Sequence, residues 1–227
     1  MAKSKEKFMQ SSRSTWLKLT LELIAVFVGI MAGFFVNSYQ ENQKDRELEG
    51  KYLESFHKNL LVDSVQINTQ MTEDQNNLDV SRRAAYAMTT SILPRDSALA
   101  VLGVIATFNN LNMQDATYES IVNSGNLGLI RDWELREALV NYYRYQQTMR
   151  DVEEVYNEYI VSYVMPSLFE SVDLISGELA EDFRTDSREF KNLTAGYYSL
   201  ADQKMEVLQE IDSVNQTLLS TLRSLKD

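Results

Sequence analysis

Leu19-Thr-Leu-Glu22-Leu-Ile-Ala25-Val-Phe-Val-Gly29-Ile-Met-Ala-Gly33-Phe-Phe-Val36 is a run of 18 residues carrying one charge, Glu22. With Trp16 and Leu17 it reaches the ~20 residues, at ~1.5 Å each, that cross a ~30 Å hydrocarbon core. Trp16 and Tyr39 bracket it, as amphipathic rings do at membrane interfaces. Before it lie Lys3, Lys5, Lys7, Arg13 and Lys18 against Glu6 alone; after it, Glu41 to Gly50 is mixed in charge. The positive-inside bias then predicts a cytoplasmic N-terminus and a domain on the far side, the periplasm in a Gram-negative bacterium. The alternative is a cleaved signal peptide. The apolar run is longer than a usual h-region, and Val36-Asn37-Ser38 is only a tolerable cleavage site.

At 100° per residue, Gly29 and Gly33 each fall within about 20° of Glu22 around the helix. Lys18, Ala25 and Val36 flank the same stripe. Ala25, Gly29 and Gly33 form a small-residue ridge of the kind that lets membrane helices approach closely. A carboxyl group on that ridge points to a face packed against protein rather than lipid. The simpler reading pairs Glu22 with Lys18 one turn away, both reaching toward the headgroups.

The remaining composition selects the fold class. The chain has 227 residues, 24% charged and 44% apolar, with 8 Gly and 2 Pro. So few breakers favour long helices over sheets. The expectation is an all-α protein: a basic tail over 1–15, a transmembrane helix over 16–38, and an elongated antiparallel helical bundle over 39–227. Its first helix, continuous or nearly so with the anchor, carries a stripe of Leu53, Phe56, Leu60, Ile67, Met71, Leu78, Ala85, Met88 and Ile92, and Pro94 ends it. Two short helices follow, parted by a turn at Asn109–Asn112. Gly125 is a natural left-handed C′ residue, with Leu127 as its apolar contact. Asp132 caps the next helix, which runs to about Val164 and breaks at Pro166. A short segment near 167–183 leads to a last helix, about 188–226. Its stripe is Leu193, Tyr197, Leu200, Val207, Leu208, Ile211, Val214, Leu218, Leu222 and Leu225.

Chemistry is sparse. Net charge is −11; residues 1–18 hold +4, so the rest carries −15, which argues against nucleic acid and leaves membrane lipid as the partner of the basic tail. There is no Cys, and His57 is the single His, so no metal site and no cofactor are expected. No phosphate loop or nucleophile elbow occurs, and no catalytic residue is assigned. Tyr156, Tyr159 and Tyr163, at 3–4 spacing among 12 tyrosines, suggest a packing face or a hydroxyl-lined ligand pocket.

Two stretches resemble a Bacteroidota family of short single-pass membrane proteins of unassigned activity. Its anchors read roughly Gly-Glu-Ile-x-Leu-Val-x-x-Gly-Ile-x-x-Ala, then Asn-x-Trp-x-Glu; here Glu22, Val28, Gly29, Ile30, Asn37 and Glu41 match. Thr117-Tyr118-Glu119, then Ser124-Gly125-Asn126-Leu127 and Leu129-Ile130, is similar to that family's second segment. Leu21 and Tyr39 depart from the pattern. The resemblance implies a bacterial inner-membrane setting and a recurring role for Glu22 and Gly29, without a reaction. The leading expectation is a non-enzymatic structural or interaction subunit that associates through its anchor and helical bundle, forming a homo-oligomer or joining a larger membrane complex. A periplasmic ligand-sensing bundle and an ion-driven stator-like subunit are the alternatives.

Overall fold

A computed structural model describes the backbone of residues 2–225 and the side chains of residues 18–225. The side chains of the basic tail, 1–15, and of Trp16 lie outside the described residues. The described residues form six α-helices: α1 (Ala2–Thr90), α2 (Arg95–Ile105), α3 (Ala116–Asn123), α4 (Trp133–Tyr159), α5 (Met165–Ser171) and α6 (Arg188–Ser224). A single hairpin, β1 (Val172–Asp173) with β2 (Glu178–Leu179), is the only sheet among the described residues. The fold is all-α, and two compact units divide it at Lys51/Tyr52.

In the first unit α1 carries the anchor sequence. Every side chain from Lys18 to Lys44 is exposed. Among the described residues this is the one helix long and apolar enough to cross a membrane.

The second unit, Tyr52–Asp227, is an up-down-up-down bundle. The first descending element is a broken run, α2, an extended stretch, α3 and a 3-10 turn over Asn126–Leu129. Its direction follows from side-chain bonds to α1: Asn109 to Asp74, Gln114 to Asp63, Thr117 to Asn59 and Asn126 to Tyr52. As one number rises the other falls. Helix α4 then runs parallel to α1, with Tyr142 at Asp63, and α6 returns antiparallel, with Asn215 at Leu60. Short connections between sequential neighbours give this arrangement.

Local sequence explains the ends. Gly125 sits at φ 72°, in the left-handed region that a side chain would strain, and closes α3 through its N–H to Val122 O at 3.0 Å. Asp132 accepts from Leu135 N at 3.0 Å, and Ser187 accepts from Phe190 N at 3.2 Å, as N-caps of α4 and α6.

Three expectations are corrected. Pro166 does not break the helix at Val164. A π turn, Ile160–Val164, precedes it, and its wider backbone receives the proline ring, so helix continues to Ser171. The segment near 167–183 contains the hairpin, closed by Gly177 at φ 73°. On the stripes, Ile92 and Leu225 are exposed, while Leu93 and Ala84 are buried instead. The apolar interior falls into two clusters. One gathers Met88, Leu102, Ile105, Ile160, Val164, Phe190 and Tyr197; the other gathers Phe56, Leu60, Ile67, Leu139, Leu208, Ile211 and Leu218.

Candidate functional site

The anchor face comes first. Lys18, Glu22, Ala25, Gly29 and Gly33 lie on one stripe of α1, all exposed. A Cβ built on Gly29 or Gly33 meets nothing within 4 Å, so the ridge is open to an approaching helix. The apolar residues around it, from Leu19 to Val36, are exposed.

Inside the bundle, polar residues occupy positions that helical geometry reserves for the core. On α1 the buried positions run Phe56, Leu60, Asp63, Ile67, Gln70, Asp74, Leu78, Ser81, at steps of three and four. On α6 they run Tyr197, Ala201, Lys204, Leu208, Ile211, Asn215, Leu218, Leu222. Two polar layers result.

The first layer separates the two apolar clusters. Lys204 is 1% exposed, yet its Nζ lies 3.1 Å from Asp74 Oδ2 and 3.8 Å from Glu153 Oε1. It also donates to Asn109 O and sits 5.1 Å from the centre of the Tyr156 ring. The Asp74 contact is an ion pair whose angle falls short of a hydrogen bond, so Asp74 Oδ2 has no hydrogen-bond donor. Glu153 accepts from Leu111 N at 2.7 Å, and Asn109 Nδ2 reaches Asp74 Oδ1 at 3.4 Å. These bonds satisfy the extended stretch between α2 and α3, whose backbone has no helix of its own to bond to. Burial pushes the Glu153 carboxyl above its usual range, while the Leu111 N–H and Lys204 pull it back.

The second layer has no cation. Asp63, 0% exposed, accepts from Gln114 N at 2.8 Å and from Tyr142 Oη at 2.9 Å; Gln146 Nε2 lies 3.5 Å away. Asn215 Nδ2 donates to Leu60 O and to Tyr142 Oη, each at 3.1 Å. Burial raises the Asp63 carboxyl to about 6, against the lowering pull of its Gln114 and Tyr142 bonds. Tyr142 is raised as well, by burial and by the neighbouring Asp63 charge. The interior thus holds three carboxylates, Asp63, Asp74 and Glu153, against one ammonium. The network fixes four chain segments in one register and gives the bundle a group that titrates near neutrality.

No family model, curated protein or solved structure matches this chain. The geometry therefore carries the functional reading. Of the expected tyrosine face, Tyr156 is buried and donates to Tyr197 Oη at 3.0 Å. Tyr159 donates to Leu193 O at 2.9 Å, and Tyr163 is 62% exposed. The Tyr159 and Tyr163 rings lie 5.4 Å apart, but Tyr163 faces solvent, so the three do not form one buried face. The two inner hydroxyls are engaged within the bundle. Among the described residues no three His, Cys, Asp or Glu side chains converge as metal ligands. Gly125 and Asp132 act as helix caps, as their positions suggested.

Sequence reading of apolar stripes passed over Asp63, Asp74, Glu153, Lys204 and Asn215. The signal was present: each stands where the heptad step demands an apolar residue.

Proposed function

We propose that this protein is a non-enzymatic membrane subunit that associates through its anchor with copies of itself or with a larger membrane complex, and holds a rigid helical bundle outside the bilayer. One observation carries this reading. Glu22 stands on the same stripe as Gly29 and Gly33 in a span whose described side chains are exposed. A carboxylate within the span is costly to leave against hydrocarbon, and a second helix seated on the glycines would shield it. The basic tail and the acidic remainder support a cytoplasmic N-terminus and a periplasmic bundle in a bacterial inner membrane. The anchor's resemblance to single-pass inner-membrane proteins of Bacteroidota agrees with that setting. The non-enzymatic part rests on the sequence, which offers one His, no Cys and no nucleophile–base motif.

The test is native mass measurement of the full-length protein in mild detergent. The expected species is an oligomer, or a complex with a second membrane protein, that Gly33→Leu weakens by blocking close helix approach. A strict monomer with nothing copurifying contradicts the proposal.

A further inference from the structure

The hairpin at the far end of α1 from Tyr52 presents an unusual tip. Turn tips favour Gly, Asn, Asp, Ser and Pro. Here the first two tip residues are Leu174, 62% exposed, and Ile175, fully exposed at 100%. The tip is also stiff. Asp173 Oδ1 accepts from Ile175 N at 2.9 Å and from Ser176 N at 3.3 Å, and Gly177 N donates to Asp173 O at 2.7 Å. Those backbone donors hold the Asp173 carboxyl below its usual range, so it is anionic. The base is fastened to the bundle by Arg95, whose guanidinium donates to the carbonyls of Leu179, Ala180 and Phe183.

Charge narrows what the tip can meet. Residues 169–182 contain Glu170, Asp173, Glu178, Glu181 and Asp182, all exposed, and no Lys, Arg or His. Of the basic side chains beside it, Arg95 bonds the hairpin carbonyls and Arg184 pairs with Asp186 at 2.9 Å. An anionic bilayer would repel this collar, and a second acidic copy of the bundle would as well. A preorganised apolar pair inside an acidic collar loses little entropy on docking and gains electrostatic steering toward a basic rim.

We propose that Leu174–Ile175 is a docking knob for a different protein, one that offers an apolar socket rimmed by lysine and arginine. This goes beyond association through the anchor, and either proposal can fail while the other stands.

The test places photoreactive benzoylphenylalanine at Ile175 of the full-length protein in its native membrane. The control site is Tyr86, 73% exposed on α1. The expected result is an adduct to another protein at Ile175, mapped to apolar residues flanked by Lys or Arg. Its yield should fall about fivefold in a Glu178→Lys/Glu181→Lys background, with an unchanged circular-dichroism melt. An adduct to a second copy, to lipid alone, a yield no higher than at Tyr86, or a yield indifferent to charge reversal would overturn it.

Discussion

Removing Lys204 strands two buried acids. Replacing Lys204 by Met leaves Asp74 and Glu153 buried without their cation. Breaking such a pair costs ~3–5 kcal/mol, whereas replacing all partners together is close to neutral. Lys204→Met should therefore lower the urea midpoint of the detergent-solubilised protein sharply, and Lys204→Met/Asp74→Asn/Glu153→Gln should recover most of it. Asp63 gives the bundle a pH dependence. Its carboxyl is raised from 3.8 to about 6 in the folded bundle, so the folded state binds the proton more tightly. That contribution to stability is fully present below about pH 4 and is lost as pH rises through about 6. Glu153, also raised, acts in the same direction. Urea midpoints at several pH values should show the loss for the natural protein, and Asp63→Asn should flatten it; parallel curves would exclude Asp63 as the source. None of these residues was legible from apolar periodicity, because a count of hydrophobic positions skips polar ones. Reading the step instead of the residue type finds them. Tyr197, Ala201, Lys204, Leu208, Ile211, Asn215, Leu218 and Leu222 follow an unbroken 4-3-4-3-4-3-4 series.

At the scale of elements, the contact between α4 and α6 depends on Gly196. A Cβ there would strike the Tyr159 hydroxyl and lie 2.9 Å from its Cζ. The ring cannot swing aside without losing its bond to Leu193 O. Gly196→Ala should cost ~1–3 kcal/mol of stability by overpacking. In a Tyr159→Ser background the same change should become neutral or stabilising, since Ala outranks Gly inside a helix by ~1 kcal/mol. A cost that persists in that background would show that Gly196 serves another purpose. Caps were readable because their chemistry is local: Gly125 needs only its own φ, and Asp132 bonds three residues ahead. Pro166 was misread because its effect depends on the backbone before it. A π turn, which no residue type announces, absorbs the ring. The hairpin was missed because two strands of two residues are too short for alternation to register, although Ser176-Gly177 marked the turn.

At the scale of the whole molecule, the sequence and the structure agree on an all-α chain with one membrane-grade helix. Breaker scarcity and the uncharged run are global properties that survive any local error. The up-down-up-down order was not legible, because the first descending element is half unwound. Its stretch from Asn109 to Gln114 is held by side chains of α1, α4 and α6 rather than by a ladder of its own. The central claim concerns the anchor, where the absence of native cysteine makes a direct measurement clean. Single cysteines placed at each position from Leu19 to Val36 can be oxidised in the native membrane and scored for crosslinking between copies and to partner proteins. The proposed association predicts crosslinks that peak at Ala25, Gly29 and Gly33 and fall on the opposite face at Phe27 and Phe34, with a period near 3.6 residues. No position above background, or yields without that period, would contradict it.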